Sequence, residues 1–414
     1  MSTSSYDDHD KLCHILYDSW ESSKCPMRSV KLPNLRHLDW CIEECDDTFT
    51  VFTCIVILAG PRFKSLNMSL PKLPEDRDSS FHALTGFNIE YLQLQAGYDN
   101  SWPYSGLQIS TLLCYLRTSH INLREEPTCD VWLYLSMLSQ LHTLEGHFVP
   151  TNTNMSKIIA AILSGPISIL QFPVLRHLTW TVYALDEYTA LLRGFAKCRD
   201  LQTVGVELYQ SNTPPELSAF FDALRASCSQ DALTFFSMEH VDGECCHDED
   251  TWISPTFPAS RLLRPLLTFG AIEVCKITCC MAAWDDELLK EISIAWPNLK
   301  DLRLRTGHAP CTSMLTLPGL KPLARNCSRI KHVELEVGTG SSAWTDGMEI
   351  PKRDWNHGSG STSRTSVDVS YHPQPDGSLG SEAMARRFLE AIFPCADIRL
   401  NLDDHLKELE EASS

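Results

Sequence analysis

The sequence predicts an α/β solenoid, with one strand per repeat forming a parallel sheet and helices on the opposite side. Three observations carry that expectation: an apolar phrase recurs along the chain, its copies keep a near-constant spacing, and the intervening segments carry helix signals. The phrase is plainest in LPNLRHLDW from Leu32, FPVLRHLTW from Phe172 and WPNLKDLRL from Trp296. Looser copies are PRFKSLNMSL from Pro61, FNIEYLQLQ from Phe87, LSQLHTLEGHF from Leu138 and CRDLQTVGVEL from Cys198. DALTFFSMEHV from Asp231, FGAIEVCKITC from Phe269 and CSRIKHVELEV from Cys327 complete the set.

Each copy reads apolar-x-x-apolar-x-apolar, with first anchors Leu35, Phe63, Ile89, Leu141, Leu175, Leu201, Leu233, Ile272, Leu299 and Ile330. Most anchors lie 26 to 39 residues apart, and the 52-residue gap after Ile89 is expected to hide a degenerate copy near Leu113 to Leu123. This is the leucine-rich-repeat period, somewhat stretched. One such unit cannot bury its own apolar face, so neighbours stack into a leucine-rich-repeat solenoid, with a curved parallel sheet on the concave side and helices on the convex side.

Residues 1–30 read as a short helical cap or remnant, and residues 31–337 as the solenoid. Within it, Asn154 caps an expected helix with the stripe Met155, Ile158, Ile159, Ile162 and Leu163, stopped by Gly165 and Pro166. Thr213 precedes Pro214 and Pro215, and Leu217, Phe220, Phe221 and Leu224 follow at helical spacing. Asp285, Asp286 and Glu287 suit the positive end of a helix dipole ahead of Leu288, Leu289, Ile292, Ala295 and Trp296. Residues 338–364 are rich in Gly and Ser and read as a flexible loop. Residues 365–403 form an expected terminal repeat: TSVDVSY as a strand, SEAMARRFLEAIF as a helix capped by Ser381, and ADIRLNL as a last strand. An acidic tail, 404–414, closes the chain.

Alternation within each strand sends the second and third anchors inward and the residues beside them to the concave face. The candidate binding face then reads His37 and Asp39, Ser65 and Asn67, Tyr91 and Gln93, followed by Thr143, Glu145 and His147. It continues with His177 and Thr179, Thr203 and Glu207, Ser237 and Glu239, Lys276 and Thr278. Asp301, Arg303 and Arg305, then His332, Glu334 and Glu336, end it. Arg303 and Arg305 make a basic step among acidic neighbours, and their reversal to Glu is expected to leave thermal stability nearly unchanged.

With 53 Asp+Glu against 35 Lys+Arg and a formal net charge of -18, the 414-residue chain lacks the cationic surplus that nucleic acid demands. The most apolar window, FTVFTCIVILAG from Phe49 to Gly60, is too short to span a bilayer. A cytoplasmic or nuclear location follows as an expectation, with the 17 cysteines reduced and mostly buried. No catalytic motif or cofactor fingerprint is present, so neither catalytic residues nor cofactors are assigned. ECCHDED, from Glu244 to Asp250, reads as an exposed acidic loop rather than a metal site, because adjacent cysteines suit tetrahedral zinc poorly. Cys275 and Cys279 fall on the inward face of one strand, and His37, His177 and His332 share one repeat slot.

Three phrases carry a resemblance to a known family. LLRPLLTFGAIEVCKITC, DDELLKEISIAWPNLKDLRL and TLPGLKPLARNCSRIKHVELEV follow one another between Leu262 and Val337. Their order and spacing resemble the C-terminal half of fungal F-box-like/leucine-rich-repeat proteins, and VDVSYHPQPDGSLGSEAMARRFLEAIFP is similar to that family's closing unit. The resemblance implies a non-enzymatic protein-interaction module, the substrate-recognition repeats of an SCF-type ubiquitin ligase receptor. Its partners would be a protein target on the concave face and, where an F-box lies upstream, a Skp-type adaptor and a cullin. KLCHILYDSW lacks the Pro-x-Glu start of an F-box, so the expectation is an F-box upstream of Met1 or a member that works without one. A second reading is a stand-alone acidic binder or inhibitor of a basic protein.

Overall fold

The computed structural model describes residues 34–41, 59–70, 87–96, 118–124, 129–147, 172–195, 200–210, 212–241, 257–279, 282–306, 313–337, 365–371, 382–394 and 396–402. They fall into two compact units, Met1–Leu175 and Arg176–Ser414. The expected helix after Asn154, the 244–250 cluster, the 338–364 loop, the Ser381 cap and both terminal segments lie outside the described residues.

In the first unit, β1 (His37–Cys41), β2 (Ser65–Leu70), β3 (Tyr91–Ala96), β4 (His120–Leu123) and β5 (Thr143–Gly146) pair in sequence order, all parallel. Helix α1 (Cys129–Met137) connects β4 to β5. β4 is the degenerate copy anticipated in the long gap. Its first anchor is Thr118 instead of an apolar residue, yet Thr118 is buried as the other anchors are.

In the second unit, the parallel sheet runs β6 (His177–Val182), β7 (Thr203–Leu208), β8 (Phe235–His240), β10 (Val274–Thr278), β12 (Asp301–Arg305), β13 (His332–Val337), β14 (Ser366–Tyr371) and β15 (Asp397–Leu402). The short strands β9 (Phe257–Pro258) and β11 (Ala282–Ala283) pair separately. Helices α2 (Leu185–Gly194), α3 (Pro214–Ser227), α4 (Ala259–Leu262), α5 (Asp286–Ala295), α6 (Lys321–Asn326) and α7 (Glu382–Ile392) fall between the strands. Parallel strands, one per main repeat, with helical returns make this an α/β leucine-rich-repeat solenoid.

The ladder has a recurring joint. Just ahead of each strand, one carbonyl accepts two successive amides of the next repeat: Arg36 O, Lys64 O, Glu90 O and Ser119 O in the first unit. Arg176 O, Gln202 O, Thr234 O, Glu273 O and Lys300 O do so in the second. Because these repeats enter their strands through the same joint, side chains two positions apart line up in rows across the sheet.

The anchors fill the core. Leu66, Met68, Leu92, Leu94, Ile121, Leu123 and Leu144 are sealed from solvent in the first unit. In the second, Tyr188 of α2, Phe220 and Phe221 of α3 and Phe236 of β8 form a chain of ring contacts with centroids 5.2–6.2 Å apart. Truncating such a ring to Ala costs about 3–5 kcal/mol in a close-packed interior.

Two of the helix signals, at Thr213 and Asp285, map onto real caps. Glu216 Oε2 accepts from Thr213 N at 2.7 Å at the start of α3, the return half of a capping box. Asp285 Oδ1 accepts from Leu288 N at 2.8 Å, and its other oxygen accepts from Ser260 Oγ at 3.1 Å, tying α4 to the start of α5. Asp286 in turn takes Thr316 N at 2.8 Å and Thr316 Oγ1 at 2.6 Å. Gly319 sits so close to that carboxylate that a Cβ there would overlap it. Cys275 and Cys279 are both buried, as the strand periodicity implied. Burial pushes the Cys275 thiol strongly up and that of Cys327 to about 11.

Candidate interaction face

The anchors of each strand point toward the core, so the alternate residues form the opposite face of the sheet. In the first unit the ladder gives two rows. His37, Ser65, Tyr91, His120 and Thr143 make one; Asp39, Asn67, Gln93, Asn122 and Glu145 make the other, with His147 just past β5. The second row is hydrogen-bonded at both ends: Asn67 Nδ2 donates to Asp39 Oδ1 at 2.7 Å and Asn122 Nδ2 to Glu145 Oε2 at 3.0 Å. Tyr91 Oη donates to Gln93 Oε1 at 2.9 Å, and its ring lies against His120 with centroids 4.5 Å apart.

His120 Nε2 stands 3.3 Å from Glu145 Oε2, at ion-pair distance but without the geometry of a good hydrogen bond. His120, opposed by partial burial and helped by His147 and Asn122, holds the Glu145 carboxyl below its usual range. Burial pushes the Tyr91 phenol up, and the Glu145 charge adds to that shift.

In the second unit the first row is His177, Thr203, Phe235, Val274, Asp301, His332, Ser366 and Asp397. The middle row is Thr179, Gly205, Ser237, Lys276, Arg303, Glu334, Asp368 and Arg399. Thr181, Glu207 and Glu239 form a third row over the first three strands. Arg305 ends β12, and Glu336 lies near the end of β13.

A Cβ at Gly205 would come within 2.9 Å of the Thr179 side chain and 3.3 Å of Ser237 Oγ, so a larger residue there has to displace those side chains. His177 Nδ1 and Thr203 Oγ1 are 2.8 Å apart, and Thr181 Oγ1 donates to Glu207 Oε2 at 2.7 Å. Lys276 Nζ lies 5.6 Å from the Phe235 ring centre, within cation–π range.

The basic step is a charge network instead of an isolated patch. Arg303 Nε lies 3.2 Å from Asp301 Oδ1 and 3.8 Å from Glu334 Oε2. Arg305 Nε donates to Glu334 Oε1 at 2.8 Å. His332 bridges Glu334 at 3.5 Å and Asp368 at 3.7 Å, and Arg399 reaches Asp368 at 3.8 Å and Asp397 at 3.7 Å. Burial works against the charged form of Glu334, but Arg305, His332 and Arg303 overcome it and hold the carboxyl below its usual range. The Arg303 guanidinium is likewise opposed by burial, yet Asp301, Glu334 and Glu239 raise its pKa. Glu336 accepts from Thr306 N at 2.8 Å and also from the Thr306 hydroxyl.

In each unit, then, the candidate positions of the sequence lie on the sheet face opposite the apolar anchors. His120, Asn122, Phe235, Asp368, Asp397 and Arg399 join them without having been singled out. The signal for His120 and Asn122 was the T-x-x-I-x-L phrase at Thr118. For Asp368 it was the S-x-D-x-S alternation of the strand from Thr365. Among the described residues, no cluster of three or more His, Cys, Asp or Glu is arranged to hold a metal ion. No described helix is long and apolar enough to cross a membrane.

No protein-family model matches the chain, and no curated protein matches it either. Among solved structures it is similar to the leucine-rich-repeat-containing protein LegL7 from Legionella pneumophila, at 12% identity and a TM-score of 0.40, over 70% of this chain and 90% of that one. The fold class rests on the repeat joints and strand order described above.

Proposed function

We propose that this chain is a protein-interaction module whose open sheet face holds a protein target. The observation that supports this most is the alignment of polar, titratable and aromatic side chains in cross-strand rows, from His37 to Glu145 in one unit and from His177 to Arg399 in the other. A surface built as stacked repeats presents an extended set of such groups, which is how repeat proteins recognise partners. The finer reading is that the module serves as the substrate-recognition part of an SCF-type ubiquitin ligase receptor. It draws on the likeness of the 262–337 phrases and the closing unit to F-box-like/leucine-rich-repeat proteins.

Co-purification with tagged Skp-type adaptor and cullin tests the ligase link, using this chain and a version extended upstream in the same transcript. Retention of the adaptor by either form is expected. Failure of both removes the ligase link and leaves a stand-alone binder. In that case a steep loss of target binding between low and moderate salt marks recognition of a basic protein by charge.

A further inference from the structure

The first row of the second unit is polar except at two adjacent positions. Phe235 of β8 and Val274 of β10 are register partners, flanked along the row by Thr203 and Asp301. Both are half-buried, on the side of the sheet away from the buried Phe236 and Cys275.

The middle row beside them divides in two. From Arg303 to Arg399 it satisfies itself, with Arg303 against Glu334 and Arg399 against Asp368. At Ser237 and Lys276, which are also register partners, it does not. Among the described residues Lys276 has no carboxylate partner, and its Nζ lies over the Phe235 ring. Ser237 Oγ has no hydrogen-bond partner, and neither that oxygen nor Lys276 Nζ is sealed from solvent. The nearby charges are Arg303, already held by Asp301 and Glu334, and Glu239 on the next row. An ammonium and a hydroxyl side by side suit a carboxylate, which only accepts. Val274 and Lys276 stand two residues apart on β10, about 6.6 Å, and face the same way. Residues i and i+2 of an extended segment laid along β10 have that same spacing and common direction.

We propose that Phe235, Val274, Ser237 and Lys276 form a subsite for an extended segment of a protein partner bearing an apolar residue two positions from an Asp or Glu. The apolar side chain lies on Phe235 and Val274, and the carboxylate accepts from Lys276 Nζ and Ser237 Oγ. This deepens the reading of the open face as a recognition surface and rests on it.

The test uses the full chain labelled with 4-fluorophenylalanine, with the Phe235 resonance assigned by its loss in Phe235→Leu. The probe is an acetylated Gly-Glu-Ser-Leu-Ser-Glu-Gly amide, which offers the spacing in both chain directions. Its counterparts carry Gln or Lys for both Glu, or Ser for Leu. Salt of about 0.15 M shortens the reach of the chain's net charge of -18 to about 8 Å. The Glu peptide is expected to shift the Phe235 resonance saturably, with the Gln peptide weaker by about tenfold or more, the scale of one charged hydrogen bond. Lys276→Met is expected to erase the difference between Glu and Gln peptides. A Gln, Lys or Ser counterpart that matches the Glu peptide, or an unmoved Phe235 signal, overturns the subsite. The peptide comparison on the unsubstituted chain stands even if the Lys276 variant folds poorly. A target held through other open-face positions while the peptide leaves Phe235 unmoved sinks the subsite and spares the broader reading.

Discussion

Arg305 Nε donates to Glu334 Oε1 at 2.8 Å, from the end of β12 to the middle row of β13. Side chains 29 positions apart in the chain thus meet because adjacent repeats enter the sheet in register. Arg303 reaches the same carboxylate from the other side. The near-neutral reversal expected from sequence no longer holds. Changing both arginines to Glu brings new carboxylates beside Asp301 and Glu334. A loss of about 1–2 kcal/mol is expected, since exposed pairs contribute roughly 0.2–1 kcal/mol each and like charges oppose by a similar amount. Thermal melts of the double reversal at low and high salt check this. A Tm equal to that of the parent at low salt rules the network out as a source of stability.

The depressed Glu334 carboxyl sets a direction with pH. A folded pKa below the ordinary glutamate value of 4.5 gives stability that is present above that value and lost as pH falls through the lower folded one. Glu334→Gln should therefore be less stable than the parent at neutral pH, and the gap should close in acid. Melts from neutral pH downward measure it. A gap that widens in acid has the wrong sign.

Gly319 and Gly270 make a contrasting pair. A Cβ on Gly319 would overlap the Asp286 carboxylate, which caps the Thr316 turn, whereas one on Gly270 comes no nearer than 3.9 Å to any atom. Gly319→Ala should destabilise by about 1–3 kcal/mol, the usual range for overpacking. Gly270→Ala should change little. Denaturant midpoints for the two variants decide it, and similar values for both contradict the packing.

Tyr188 is fully buried with a hydroxyl that has no hydrogen-bond partner, and burial drives its phenol pKa well up. Removing an unsatisfied hydroxyl relieves a desolvation penalty of about 1–3 kcal/mol, less whatever packing the oxygen supplies. Tyr188→Phe should thus melt no lower than the parent. A clear fall in Tm shows a partner for the hydroxyl.

The fold was legible because burial writes itself into periodicity. Leu38, Leu66, Leu92, Leu178 and Leu302 occupy one slot and all take the inward position of their strands. The strand β4 was only bracketed, since Thr118 replaces an apolar anchor and yet is buried at the same slot. The open face was legible as a set of positions, because alternation alone assigns His177, Lys276 or Glu334 to it. Who pairs with whom was not. The His332 bridge from Glu334 to Asp368 joins two strands, and the Gly/Ser-rich residues 338–364, with no fixed period, precede the second, so its register was open in the sequence. Asn122 was hidden for the same reason as β4.

On the proposed function, the open sheet face, and not the helical side, engages a protein target. Site-specific photo-crosslinking addresses it most directly, with p-benzoylphenylalanine placed singly at Gln93, Thr179 and Lys276 on the sheet face, and at Asp222 and Lys290 on exposed helix positions. One and the same protein is expected to crosslink from the sheet-face positions and not from α3 or α5. Crosslinking of that protein chiefly from Asp222 and Lys290 would contradict it.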